Sequence, residues 1–262
     1  MALSKEQVAQ VSAELINAEK SRVPIQALTE RFPDVSYEDA YAIQLKTFDS
    51  YVKSGAVIVG KKIGLTSKAM QDQFGIREPD YGMITDRMVA REGAPLPMNS
   101  LILPRIEPEI AFLLKEDLKG PGINVANVIE ATEGVMPAFE VIDSRYKDWK
   151  ITVKDSISDN ASAGVMILGG KLTPIKDLDL RYVGMVLEKN GLLVSTGAGA
   201  AVLGNPAQSV AWLANKLTEY GITLKKGEFV MSGSLVQAVT VEAGSCLRAS
   251  FDRLGSVSVS FE

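Results

Sequence analysis

Residues 105–114 read Arg105-Ile106-Glu107-Pro108-Glu109-Ile110-Ala111-Phe112-Leu113-Leu114. Side chains of an extended strand alternate, so Ile106, Ile110, Phe112 and Leu114 share one face and Glu107, Glu109, Ala111 and Leu113 the other. Two carboxylates about 7 Å apart along the strand are thereby set among small and apolar residues, where an unpaired charge is costly to bury. A third, Glu140, is the lone acid of another hydrophobic run, Pro137-Ala138-Phe139-Glu140-Val141-Ile142. Three hard oxygen donors with no soft ligand suit Mg²⁺ or Mn²⁺. Taken alone, Glu-x-Glu is also what a strand with two solvent-facing glutamates looks like, since charged residues are seldom buried. The motif becomes specific only through its neighbours.

Upstream, Ala56-Val57-Ile58-Val59-Gly60-Lys61-Lys62-Ile63-Gly64-Leu65-Thr66 is β-rich, and its glycines mark a close approach of backbone or ligand. A short helix over about 67–74, carrying Met70 and Phe74, leads to the turn Arg77-Glu78-Pro79-Asp80-Tyr81-Gly82, shaped by its proline and glycine. A strand over 83–91 follows. At the amino end two amphipathic helices are expected, over 4–20 and 36–53, with Ser4 and Ser36 as N-caps and Asp39 completing a weak capping box. They form a helical cap, residues 1–55, on a catalytic portion, residues 56–262. Downstream, Asn124 caps a helix through about Glu133 that Gly134 ends. The Asn190-Gly191 pair joins strands over 183–188 and 192–195 as a type I′ hairpin. Asn205, Pro206 and Gly221 bracket a helix over 206–220, and the tail holds two or three strands. The fold class is α+β, dominated by strands.

Composition narrows the chemistry. A net charge of −4 without a basic cluster argues against a nucleic-acid partner. No apolar run reaches the roughly 18 residues a membrane span needs, and the first residues lack the apolar core of a signal peptide. Cys246, the single cysteine, excludes an internal disulfide and fits a reducing, cytoplasmic setting; it reads as an inert packed thiol. There is no histidine, which removes Ser-His-Asp and Cys-His catalysis and leaves carboxylates, lysines, tyrosines or metal-bound water for proton transfer. The glycine-rich run 197–204 has the wrong spacing for a dinucleotide fingerprint and reads as a flexible loop near the active site. Gly64-Leu65-Thr66-Ser67-Lys68 lacks the order of a P-loop.

Five segments in order, Gly60-Lys61-Lys62-Ile63-Gly64-Leu65-Thr66-Ser67, Pro79-Asp80-Tyr81-Gly82, Pro104-Arg105-Ile106-Glu107-Pro108-Glu109-Ile110, Phe139-Glu140-Val141-Ile142-Asp143-Ser144-Arg145 and Asp159-Asn160-Ala161-Ser162, together resemble one family. It is the 2-hydroxypenta-2,4-dienoate (vinylpyruvate) hydratases, with their sister 4-oxalocrotonate decarboxylases, in the fumarylacetoacetase-like superfamily. The resemblance covers nearly the whole chain. It implies a fumarylacetoacetase C-terminal-like mixed β-sandwich roll with an N-terminal helical portion, Mg²⁺ or Mn²⁺ held by Glu107, Glu109 and Glu140, and a short 2-hydroxy-dienoate as substrate. It also implies a homo-oligomer, and allows a complex with the sister decarboxylase.

The hydratase branch is set apart by Asp80, a position that looks apolar in the decarboxylases. Hydration needs a group to place and deprotonate water, and Asp80 is that candidate. Lys62 would donate or relay a proton, or hold the substrate carboxylate, and Ser162 would hydrogen-bond the substrate. The competing reading of Asp80 and Lys62 is an ion pair that only orders a turn. A fumarylacetoacetase-like C–C hydrolase is disfavoured because it normally recruits a histidine. A non-catalytic scaffold would have no reason to keep three carboxylates, Lys62 and Asp80 together.

Overall fold

The alternation of residues 105–114 is realised in β4 (Arg105–Leu114), whose two faces enter different cores. The structure, a computed structural model, describes residues 3–68, 71–72, 75–76 and 78–262. Antiparallel to β4 runs β5 (Thr132–Ile142), in a register that sets Arg105 opposite Ile142, Glu107 opposite Glu140 and Glu109 opposite Ala138. On its other side β4 pairs with β9 (Phe229–Ser234), which lies parallel to β1 (Ile58–Gly64), and β1 pairs antiparallel with β2 (Asp80–Thr85). Beyond β5 come β6 (Ala163–Leu168) and the two-residue β3 (Val89–Ala90), giving the order β2-β1-β9-β4-β5-β6-β3. A second two-residue strand, β10 (Val239–Thr240), adds to the start of β4. The second sheet is β12 (Gly255–Ser260), β11 (Cys246–Phe251), β7 (Gly184–Lys189) and β8 (Leu192–Ala198), in that order.

The layers follow from strand parity. Ile63, Tyr81, Ile106, Ile110, Phe112, Phe139 and Val141 bury one face of the large sheet against Leu187, Leu247 and Val257 of the second sheet and Val210, Leu213 and Leu217 of the helix Pro206–Thr218. Burial of this order, at about 1.5–3 kcal/mol per large apolar side chain, makes this face the main source of stability. The opposite face carries a smaller cluster, Ile84, Ala111, Ala138, Met166, Phe229 and Met231, beside the glutamates. The helices Lys5–Ser21 and Tyr37–Lys53 start at Ser4 and Ser36 in full capping boxes, and Val11, Leu15 and Ile43 pack with Tyr146. The α+β expectation and the roll therefore hold.

Several local expectations are corrected. The strand placed at 83–91 starts earlier, at Asp80, and ends at Thr85, after which a 3₁₀ turn at Asp86–Met88 separates it from β3. The helix capped by Asn124 ends at Ala131 rather than Glu133, and Gly134 is a strand residue. A Cβ there would stand 2.8 Å from the Thr173 carbonyl, so the glycine serves a close approach and not a helix stop. Two helices were not anticipated, Leu28–Arg31 between Pro24 and Pro33 and Val153–Ser158. Asn190 and Gly191 both take positive φ, 54° and 76°, as a type I′ turn requires. The run 197–204 is the end of β8 and a 3₁₀ turn rather than a loop, packed against Leu235 and bonded to the Thr66 carbonyl through Leu203 N. Four strands, not two or three, occupy the tail. Cys246 is exposed instead of packed, because the side chains of β11 that reach the core are Leu247, Ala249 and Phe251, the alternate set. Met70, Phe74 and Arg77 lie outside the described residues.

Candidate active site

Glu107 and Glu109 project from one face of β4, and Glu140 stands directly across from Glu107 on β5. One carboxylate oxygen from each of the three comes within 4.8 Å of the others. Glu109 and Glu140 are fully buried, so Glu109 is not the solvent-facing glutamate that Glu-x-Glu alone allows. Glu109 Oε2 accepts the Gly233 N–H at 2.7 Å. Its Oε1 and Glu140 Oε2 are buried with no hydrogen-bond donor. Burial first, and then Glu140, push the Glu107 carboxyl up to about 7. Burial and its two neighbours hold Glu109 well above the ordinary range, and burial raises Glu140. Such orphaned acceptors are costly, and a divalent cation satisfies them. The donor set, all oxygen and all carboxylate, is that of a hard cation.

Lys62 projects into the same face from β1, while its neighbour Lys61 turns to Glu228 at 2.6 Å. Lys62 Nζ stands 3.3 Å from Glu140 Oε1 and donates to the Ala161 carbonyl at 3.0 Å. Burial alone would lower this ammonium, but Glu140, Asp80, Glu107 and Glu109 more than reverse that and hold it charged. The competing Asp80–Lys62 ion pair is not formed; the partner of Lys62 is Glu140.

Asp80 opens β2 opposite Gly64 and is buried. Its Oδ2 accepts from Ser156 Oγ at 2.9 Å, and its Oδ1 has no donor. Lys62, Gly64, Asp80 and Gly82 share one face of the β1–β2 pair, and here both glycines are steric necessities. A Cβ on Gly64 would overlap Asp80 Oδ1, and one on Gly82 would stand 2.6 Å from the Asn160 carbonyl. Gly64→Ala is therefore expected to lower turnover about a hundredfold by displacing Asp80, with metal binding kept; unchanged steady-state rates would show that the position of Asp80 is not critical.

Ser162 ends the turn Asn160-Ala161-Ser162, where φ is 56°, 51° and 54°. Three non-glycine residues in the left-handed region are uncommon and strained. Asn160 enforces the turn by accepting from Met83 N and donating to Met83 O, at 2.8 and 2.9 Å. The result aims the Ala161 carbonyl at Lys62 and brings Ser162 to the wall of the cavity. Asp159, next in the same motif, is taken by Arg145 (2.5 Å) in a buried pair that supports the turn.

The cavity, about 550 Å³, is lined by Lys62, Asp80, Glu107, Ser156 and Ser162 together with apolar Leu65, Ile142, Ile151, Leu235 and Val236. Ser156, Arg105 and Trp149 are among the lining residues missed from sequence. Ser156 rides on the helix Val153–Ser158, whose signal was present as the capping box Thr152-x-x-Asp155.

A largely buried carboxylate triad on a mixed sheet with a second sheet behind it defines the class. The pattern of the fumarylacetoacetate (FAA) hydrolase C-terminal family matches residues 42–261, and the chain belongs to that family. Within it, the chain is 48% identical over 221 residues to a 2-hydroxypent-2,4-dienoate hydratase of Pseudomonas putida, covering 84% of this chain and 100% of that one. It is 42% identical over 259 residues to a 4-oxalocrotonate decarboxylase of Pseudomonas putida, covering 99% and 98%. In three dimensions it is similar to the 4-oxalocrotonate decarboxylase from Pseudomonas putida G7 complexed with magnesium and adipate, with TM-score 0.96, 41% identity and 99% of each chain covered. Among the described residues no helix is long and apolar enough to cross a membrane.

Proposed function

We propose that the chain is a divalent-metal-dependent hydro-lyase that adds water to 2-hydroxypenta-2,4-dienoate, giving 4-hydroxy-2-oxopentanoate, in the meta-cleavage degradation of aromatic compounds. The observation that carries this reading is Asp80: a buried carboxylate on the cavity wall with one oxygen held by Ser156 and the other without a donor. A decarboxylase needs an electron sink, whereas a hydratase also needs a base for water. A bound Mg²⁺ or Mn²⁺, held by Glu107, Glu109 and Glu140, would supply Lewis-acid polarisation of the substrate's 2-oxygen. In the overall reaction protons are added at C5 and C3 and a hydroxyl at C4, while the 2-hydroxyl gives up its proton as it becomes the 2-oxo group, so that one water is consumed. Asp80 Oδ1 takes the proton of that water, and Ser156 keeps the carboxylate turned toward it. Lys62 is a fixed cation that compensates Glu140 and can hand a proton inward; Ser162 hydrogen-bonds the substrate.

The second reading, 4-oxalocrotonate decarboxylase, is favoured by the relatives of that name and by the fold match, neither of which separates the two reactions, since both chemistries use one scaffold. Incubation with 2-hydroxypenta-2,4-dienoate and Mg²⁺ is expected to yield a product heavier by one water in mass analysis. Release of CO₂ from 2-oxo-3-hexenedioate at a higher rate would establish the second reading instead.

The same proposal treats residues 1–55 as a helical cap on the catalytic unit 56–262, and the enzyme as cytoplasmic. It includes a homo-oligomer, with a complex with the sister decarboxylase as a further assembly. The open edge strand β8, which exposes Leu192 and Leu193, supports self-association, because unpaired apolar edges are seldom left bare.

A further inference from the structure

Two cations are found among the described residues that line the cavity, Lys62 and Arg105. Lys62 is already committed to Glu140 and the Ala161 carbonyl. Arg105 is not: among the described residues no carboxylate lies within ion-pair distance of it. What holds it is an aromatic ring, with its guanidinium carbon 4.5 Å from the centroid of Trp149. The indole is itself fixed, since Trp149 Nε1 donates to the Leu103 carbonyl at 2.9 Å. Asp148 and Trp149 both take the left-handed backbone, φ 59° and 55°. Two successive non-glycine residues rarely do so, and such strain persists where the surrounding structure uses it. Here it brings the indole under the guanidinium.

A stacked guanidinium keeps its hydrogen-bonding edge free, and that edge matches a planar carboxylate with two parallel bonds. Arg105, Glu107 and Glu109 lie in one row on one face of β4, about 7 Å apart. Asp80 comes from β2, at the edge of the sheet and three strands away in the order β2-β1-β9-β4. A substrate that presents C4 to Asp80 and its 2-oxygen to the glutamates therefore directs C1 away from Asp80, toward the β4 row.

We propose that Arg105 anchors the C1 carboxylate of the substrate, with Trp149 as the positioning residue that holds the guanidinium for it. This rests on the hydratase reading above, and the test separates the two. The probe is 2-oxopentanoate, a saturated 2-oxo acid that cannot be hydrated, titrated by calorimetry into the Mg²⁺-loaded protein. Arg105→Met is expected to weaken its binding by about tenfold or more, the worth of a charge-assisted pair. The same variant should raise KM equally for 2-hydroxypenta-2,4-dienoate and for 2-hydroxyhexa-2,4-dienedioate, with the Mg²⁺ affinity unmoved. Trp149→Phe should retain the affinity for 2-oxopentanoate, and Trp149→Ala should lose most of it. Unchanged binding in Arg105→Met overturns the anchor. So does a KM effect confined to the dienedioate, which would make Arg105 a reader of a distal carboxylate, or a matching loss of Mg²⁺ affinity. A wild type that binds 2-oxopentanoate through Arg105 but hydrates neither dienoate sinks the hydratase reading and leaves the anchor standing.

Discussion

Glu109→Gln is expected to cut turnover at limiting Mg²⁺ by more than about a hundredfold, since even the groups behind a metal ligand are worth 10–100-fold. The metal-free variant should nevertheless melt no lower than the wild type. Glutamine keeps the oxygen that accepts the Gly233 N–H and removes a charge that has no other compensation at Oε1. The pH dependence gives an independent reading. Glu107, pushed by burial and then by Glu140 to about 7, and Glu109 and Glu140, also raised, bind protons more tightly folded than unfolded. Their contribution to stability is full below the unfolded value, about 4.3, and is lost as pH rises through the folded values. The metal-free wild type should therefore melt at a lower temperature near pH 8 than near pH 5, and Mg²⁺ should restore more at the higher pH. In Glu109→Gln both the slope and the Mg²⁺ gain shrink. Asp159, raised by burial to about 6, leaves a residual slope below that pH in both proteins. Thermal scans with EDTA or Mg²⁺ at the two pH values decide it: a wild type whose melting ignores both would not hold a metal at this cluster.

What could be read from the sequence was what local chemistry dictates. The parity of β4 follows from the alternation of 105–114, and the capping boxes at Ser4 and Ser36 and the Asn190-Gly191 turn follow from the residues that make them. The three glutamates were legible because a carboxylate in an apolar strand needs a partner. The register that sets Glu107 against Glu140 was not, because strand pairing is a tertiary choice that no single strand carries. Gly134 misled for a related reason: it looks like a helix terminator, yet its lack of a side chain serves the Thr173 carbonyl, a residue far along the chain. Lys62 was placed in the site as a proton donor or carboxylate holder, and the ion pair weighed against that reading was with Asp80. The pairing with Glu140 arises only once β1 and β5 curve into one face. Arg105 stood in the quoted motif and was passed over, since its role depends on a ring 44 residues later, at Trp149.

Asp80→Asn should lower hydration by at least about a hundredfold, the low end of what general-base assistance contributes. The substitution preserves the setting. Asp80 is buried at the start of β2, and an asparagine oxygen can still accept from Ser156 Oγ as Oδ2 does. The space that Gly64 leaves for Oδ1 also admits an amide nitrogen, so the side chain keeps its place and loses only its basicity. Hydration involves two events at different carbons, protonation at C5 and attack of water at C4, and only the second calls for a base near C4, because neutral water is a poor nucleophile. The variant should thus bind Mg²⁺ as the wild type does and still carry the dienol to 2-oxo-3-pentenoate. Proton NMR in D₂O would show deuterium entering C5 without the appearance of 4-hydroxy-2-oxopentanoate. A near-normal hydration rate in Asp80→Asn would remove the base from the reaction. With it would go the observation on which the hydratase reading rests against a decarboxylase built on the same three glutamates.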